Sequence, residues 1–246
     1  MKFLVCISKV PDTTTKISFV ENNTKFNSEK VTFIINPYDE WYALVRALEI
    51  KESQGGSVTV LNVGPAENDQ IIRKALAIGA DDAIRINAEP LDAFHLANQI
   101  AAVAKEGGYD MILTGKESID YNGGQLGGMI AELMDLPYIP LATSLDIENG
   151  KALITREIEG GKEKLEASLP LVLSANKGMA EARIPNMRGI MSARTKPLKV
   201  VEAIEAESLT SVKEYALPPE KSAVKLIDAE TPEKLIDLLH NEAKVI

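Results

Sequence analysis

Residues 123–128 read Gly-Gly-Gln-Leu-Gly-Gly, behind the apolar run Met111-Ile112-Leu113-Thr114 and the turn Gly115 to Asn122. A helical pattern opens after them, at Met129. A strand feeding a glycine-rich turn that opens a helix is a geometry that cradles phosphate. The glycines let the backbone come close, N–H groups aim at the anion, and the helix dipole favours negative charge. The same glycines would equally serve close packing in an ordinary strand-to-helix connection. The local pattern supports both readings.

Other chemistry is sparse. Gly115-Lys116-Glu117 has neither the upstream glycine nor the hydroxyl after the lysine that a triphosphate loop needs. No G-x-G-x-x-G follows a predicted strand, so the dinucleotide fingerprint of dehydrogenases is missing. His95 and His240 lie far apart and outside polar clusters, which leaves no metal-ligand spacing. Cys6 falls in a predicted core strand, a poor place for a nucleophile. Acid pairs such as Asp39-Glu40 and Asp81-Asp82 suit helix starts and loops. Nucleotide geometry without a catalytic constellation favours a binding or carrier role over an enzyme.

The elements that would position the turn are legible as alternation. Phe3 to Ile7, Ser57 to Val63, Asp82 to Ile86 and Tyr109 to Thr114 read as buried strands, separated by helical patterns. This predicts a doubly wound, Rossmann-like parallel sheet with right-handed crossovers. Residues 16–35 interrupt it as a small β-excursion. Asn36-Pro37-Tyr38-Asp39-Glu40 reads as a helix start, with Asn36 as cap, Pro37 in the first turn and acids behind it. Ligands in such sheets sit beyond the carboxyl ends of the strands. That edge would carry Cys6 to Val10, Val63 to Ala66 and Gly115 to Leu126.

Residues 143–167 break the alternation and read as an antiparallel insertion, with turns at Asn149-Gly150 and Gly160-Gly161. Leu169 to Ala175 would return to the main sheet. Residues 180–197 interleave Arg183, Arg188, Arg194 and Lys196 with Met187 and Met191. From Leu209 to Lys225 periodicity is lost, before Thr231-Pro232-Glu233-Lys234 caps a final amphipathic helix of Leu235, Ile236, Leu238 and Leu239. The expected organisation is an α/β domain over 1–207 and an extended arm over 208–246 that packs on a partner.

The chain has 246 residues, 45% hydrophobic and 26% charged, with a formal net charge of −9. That acidity argues against nonspecific nucleic-acid binding. A single cysteine excludes an internal disulfide and suits a reducing compartment. No stretch approaches the ~20 apolar residues of a membrane span, and the first apolar run is too short for a secretory signal. A soluble cytoplasmic protein is expected.

The stretch Thr155-Arg156-Glu157-Ile158-Glu159-Gly160-Gly161-Lys162-Glu163, leading into Leu169-Pro170-Leu171-Val172-Leu173, resembles the beta subunit of electron transfer flavoproteins. Lys9-Val10-Pro11-Asp12, Asn36-Pro37-Tyr38-Asp39, Val63-Gly64-Pro65-Ala66, Ala75 to Asp81 and Gly115 to Asp120 extend the resemblance along nearly the whole chain. It implies a heterodimer whose alpha subunit holds the redox-active FAD. The beta subunit would carry AMP with a structural role or, in electron-bifurcating members, a second FAD. The resemblance implies a nucleotide pocket of Cys6, Asn36, Pro37, Tyr38, Asp39, Val63, Gly115, Lys116, Asp120, Gly123, Gly124, Gln125 and Leu126. AMP-binding members carry Asn and Thr where this chain has Gly124 and Leu126, and bifurcating members carry proline where it has Gly128. Tyr38 aligns with an aromatic near the partner's flavin, or packs locally.

Residues 181–196 resemble the family's recognition loop for dehydrogenases of the acyl-CoA type. Met187 falls at the apolar anchor, flanked by Arg183, Ile184, Arg188, Ile190 and Met191. The alternative is that Met187 packs under its own loop. Ser192 and Thr195 replace the family's modifiable lysines. The resemblance implies a carrier that passes electrons to a quinone-linked or ferredoxin-linked acceptor. The rival reading is a stand-alone adenine-nucleotide sensor of the universal-stress type, against which the insertion and the arm both count.

Overall fold

The first apolar run becomes the strand on which both halves of the sheet are laid. In the computed structural model, which describes residues 1–221 and 223–246, the elements are, in chain order, Lys2–Cys6 (β1), Lys9–Pro11 (β2), Phe19–Val20 (β3), Lys25–Phe26 (β4), Phe33–Ile35 (β5), Asp39–Gln54 (α1), Ser57–Val63 (β6), Asp69–Ile78 (α2), Asp82–Asn87 (β7), Ala93–Gly107 (α3), Met111–Gly115 (β8), Leu126–Met134 (α4), Tyr138–Glu148 (β9), Lys151–Ile158 (β10), Gly161–Ser168 (β11), Leu171–Ala175 (β12), Met187–Ala193 (α5), Leu198–Glu202 (β13) and Glu233–Asp237 (α6).

Among the described residues nine strands form one sheet, in the order β11-β10-β9-β12-β8-β1-β6-β7-β13. Every pairing from β9 to β13 is parallel. β10 and β11 extend this sheet antiparallel from β9, so the insertion is a continuation of it. Asn149 and Gly150, both at positive φ, make the tight turn between β9 and β10. The chain runs from β1 outward through β6 and β7, then crosses to β8 on the other side of β1. The crevice beyond the carboxyl ends of β1 and β8 is therefore the topological switch point.

Both faces of this sheet are covered, which is why its strands read as unbroken apolar runs. Phe3 and Val5 enter the core layer with α1 and α2, while Leu4 and Cys6 enter the layer with α3 and α4. The mixed α/β architecture with a mostly parallel sheet is the one the alternation predicts.

Three local expectations are corrected. α1 begins at Asp39, with Tyr38 at φ 67° in the cap position, so Asn36 is not the cap. α4 begins at Leu126 rather than Met129. Residues 187–202 hold a helix and a strand, α5 and β13, that periodicity did not reveal, because both lie at the surface and bury one side only.

The chain forms two compact units, residues 1–17 with 27–213 and residues 18–26 with 214–246. In the second unit β3 pairs with β4, and the Phe19 ring stacks on Tyr215 with centroids 4.8 Å apart. The Tyr215 N–H donates to Asn23 O at 2.8 Å. α6 continues into a π-helical turn, Leu238–Glu242, and neither has a buried residue. Among the described residues no helix is long and apolar enough to cross a membrane.

Candidate functional site

The loops after β1 and β6 are cross-linked by buried polar side chains. Asn62 donates to Ile7 O at 2.8 Å and accepts from Asn68 Nδ2 at 2.9 Å. A Cβ on Gly64 would stand 1.9 Å from Asn68 Nδ2, so only glycine admits this bridge. The buried guanidinium of Arg85 donates to Gly64 O at 2.9 Å, to Asn87 Oδ1 at 3.0 Å and to Asp69 Oδ1 at 2.8 Å. A loop held by this many directed bonds presents its backbone in a fixed shape, as a binding edge requires.

The loop after β8 is fixed by the amino end of α1 and by β12. The amino end of α1 lies directly on Gly115, where a Cβ would meet Glu40 Cγ at 2.8 Å and Glu40 N at 3.0 Å. The buried Asn36 side chain donates to Glu117 O at 2.9 Å and accepts from Ile119 N at 3.0 Å. Lys116 N donates to Ala175 O at 2.9 Å, which ties the same loop to β12. Asp120, at the loop's far end, is exposed.

The glycine run itself divides by role. Gly127 and Gly128 bring α4 down on Tyr138: a Cβ at Gly127 would meet Tyr138 Cε2 at 2.7 Å, and one at Gly128 would meet Tyr138 Cε1 at 3.5 Å. Gly123 has nothing within 4 Å of its Cβ position, and Gly124 takes φ 62° where a Cβ would touch only Lys116 O, at 3.8 Å. Gly123, Gly124 and Gln125 are exposed. No side chain caps α4 at Gln125 among the described residues, and its first N–H groups have no acceptor inside the helix. Open glycines running into an uncapped helix start are the donor set that a phosphate accepts from. Leu126 adds an apolar side chain where a polar contact would otherwise be expected.

On the α1 face, Pro37, Tyr38, Asp39, Tyr42, Lys116, Glu117, Ile119, Glu157, Asn176 and Lys177 line an open cleft of about 620 Å³. Tyr38 is exposed at φ 67° and ψ −104°, a conformation that strains any residue with a Cβ. Burial raises the Asp39 carboxyl, opposed by Lys116. Glu40 accepts from Ser8 N at 2.6 Å and Ser8 Oγ at 2.7 Å. Burial pushes its carboxyl up to about 8 despite those bonds. Burial also pushes the Cys6 thiol up, so it stays protonated.

The structure thus sorts the sequence-predicted residues into two places. Cys6 and Val63 pack in the α3–α4 layer, whereas Tyr38 and Asp39 stand at the start of α1, whose helix belongs to the other layer. Gly115 to Leu126 runs along the edge between these places. Pro37, Tyr38, Asp39 and Lys116 share the α1-side cleft with each other, not with Cys6. Asn36 lies beneath the loop, as its brace. Ser8, Glu40, Arg85 and Asn176 were not singled out from the sequence; Glu40 had looked like an ordinary first-turn acid.

A second surface lies on α5. Gly189 packs against the α2 backbone, since its Cβ would come within 2.3 Å of Ala77 O. Arg73 holds the far end through Ala193 O at 2.8 Å and Lys196 O at 2.7 Å, and Asn186 caps the near end. With its small face anchored, α5 and the residue stretch before it present Ile184, Met187, Ile190 and Met191 to solvent, Ile184 at 84% and Met187 at 73% exposure. Met187 is not packed under its own loop. Arg188 is exposed beside them. Arg183 turns inward instead, pairing with Glu52 through two bonds of 2.6 and 3.0 Å.

The electron transfer flavoprotein domain matches residues 24–206. The chain is 37% identical over 260 residues to the electron transfer flavoprotein subunit beta of Bacillus subtilis (strain 168), with 100% of each chain covered. It is 36% identical over 251 residues to the protein of that name from Syntrophomonas wolfei, covering 100% of this chain and 98% of the other. Against that of Sus scrofa the identity is 31% over 255 residues, with 100% and 99% covered.

Proposed function

Because the chain belongs to the electron transfer flavoprotein family, as a beta subunit, we propose that it is the nucleotide-holding and docking half of a two-subunit electron carrier. Its partner is an alpha subunit that holds FAD. The pair takes electrons from flavin dehydrogenases of the acyl-CoA type and delivers them to a quinone-linked acceptor. The flavin, when bound, supplies the redox chemistry, and the polypeptide supplies position and surroundings.

The observation that carries the reading is the divided glycine run. Gly127 and Gly128 are accounted for by Tyr138, but Gly123 and Gly124 have no packing role and lead into an uncapped helix. In this proposal they receive the phosphate of an AMP through backbone N–H groups, which need neither the Asn nor the Thr side chain missing at Gly124 and Leu126. The braced loops after β1 and β6 form the opposite side of that pocket, at Cys6 and Val63. The cleft behind Tyr38 and Lys116 faces the flavin of the partner subunit. α5 is the contact for the dehydrogenase.

A second reading follows from Leu126. An apolar side chain at the phosphate end suits a second FAD, and the complex would then be electron-bifurcating with a ferredoxin-linked acceptor. Denaturing the purified two-subunit complex and identifying the released nucleotides tests both. One FAD with one AMP supports the conventional carrier, and two FAD with no AMP the bifurcating one. A complex without flavin absorbance that accepts no electrons from a dehydrogenase would overturn the function itself.

A further inference from the structure

Between β13 and α6 the described residues form no helix or strand, yet the first of them are pinned to α3. Gln99, buried in α3, donates from Nε2 to Ile204 O at 2.8 Å and accepts from Ile204 N at 2.9 Å, a closed two-bond clasp on one residue. Asp92 does two tasks with its two oxygens. Oδ1 accepts from His95 N at 2.8 Å and caps α3. Oδ2 accepts from Leu209 N at 2.7 Å, Thr210 N at 2.8 Å and Thr210 Oγ1 at 3.3 Å. The His95 N–H, followed by those of Thr210 and Leu209, holds this carboxyl down to about 2, so it stays charged at neutral pH.

We propose that Asp92 and Gln99 are positioning residues for assembly: they fix the root of the carboxyl-terminal segment at residues 204–210 before a partner subunit is met. The physical reason is entropic. A partner that must order a free segment bears the cost of ordering it during association, and two fixed points near its start remove part of that cost beforehand. Neither side chain is required to touch the partner. The inference rests on the proposed alpha-subunit partnership and on the segment beyond 208 facing that partner.

The two oxygens of Asp92 allow a clean test. Serine caps helices about as well as aspartate, but has no second oxygen for Leu209 and Thr210. Asp92→Ser therefore releases the root while keeping α3 capped, and Gln99→Met removes the Ile204 clasp at similar volume. In the full chain, hydrogen exchange at the Ile204, Leu209 and Thr210 amides should quicken by about tenfold or more in the double variant, with α3 amides unchanged. Association with the flavin-bearing alpha subunit, followed by stopped flow, should slow by about tenfold with little change in dissociation. Wild-type amides at 204, 209 and 210 that exchange as fast as unstructured peptide would overturn the clasp. Faster exchange in the variant with an unchanged association rate would overturn the positioning role. A wild-type chain that fails to bind any alpha subunit would instead sink the partnership.

Discussion

Asn36 reaches across 81 and 83 positions of sequence to hold both a carbonyl and an N–H of the loop after β8, at Glu117 O and Ile119 N. Its amide offers that backbone pair a donor and an acceptor on two separate atoms. Asn36→Ala would leave both of these half-buried backbone groups without their side-chain partner, a loss of about 1–3 kcal/mol in unfolding free energy. Asn36→Asp keeps the acceptor for Ile119 but sets a carboxylate against Glu117 O, and should cost at least as much. Urea titration of the three chains checks the order. In the assembled complex both variants should release their nucleotide at lower denaturant than the parent.

The glycine run offers a contrast between a packing position and an open one. Gly127→Ala drives a methyl into Tyr138 and should destabilise the chain by about 1–3 kcal/mol. Gly123→Ala meets nothing and should stay within about 0.5 kcal/mol of the parent. If Gly123 admits a phosphate, its alanine variant should nevertheless lose nucleotide, measured as the amount retained through gel filtration. Equal retention in parent and Gly123→Ala would remove this glycine from the pocket.

Glu40 makes the stability depend on pH. Its folded carboxyl titrates at about 8, well above the ordinary carboxylate range, mainly because it is buried. Between those two values the folded chain keeps a proton that the unfolded chain gives up. That contribution to stability is complete at the acid end and is lost as pH rises towards 8, by at most about 1.4 kcal/mol per pH unit. Glu40→Gln cannot titrate, so its unfolding free energy should be nearly flat between pH 5 and pH 8. Parent and variant curves measured in urea at several pH values should run together at the acid end and separate as pH rises, the parent falling below the variant towards pH 8. Parallel slopes would mean that another group is responsible.

The parts of the fold that were legible in sequence are those that local pattern controls. β1, β6, β7 and β8 are buried on both faces, so their residues announce them, and the alternation with helices follows. β13 is an edge strand with Lys199 and Val200 exposed, and no run of apolar residues marks it. Asn36-Pro37 satisfies the local grammar of a helix start so well that its real partners, 81 and 83 residues away, could not be inferred from neighbours. Glu40 likewise looks like a helix-start acid until Ser8 and Gly115 close over it. The candidate site was legible as a set of loops at one sheet edge. How those loops divide between the two faces of the sheet was not, because each layer is assembled from helices distant in sequence.

The last contrast concerns α5. Ile184 and Met187 are exposed apolar side chains beside a helix that Gly189, Arg73 and Asn186 already hold in place. Truncating them removes no internal packing, so Ile184→Ala and Met187→Ala should change unfolding free energy by no more than about 0.5 kcal/mol. If they anchor a dehydrogenase in an apolar pocket, each should raise the KM of the assembled carrier as electron acceptor by about tenfold while sparing kcat. Arg183→Ala should behave the other way, because its guanidinium is turned onto Glu52. Breaking that partly exposed pair should cost about 0.5–1 kcal/mol of stability, with a smaller rise in KM. Steady-state assays with a dehydrogenase as donor, run beside urea titrations, separate the two kinds of residue. A loss of stability in Ile184→Ala and Met187→Ala with KM unchanged would return this loop to a purely internal role.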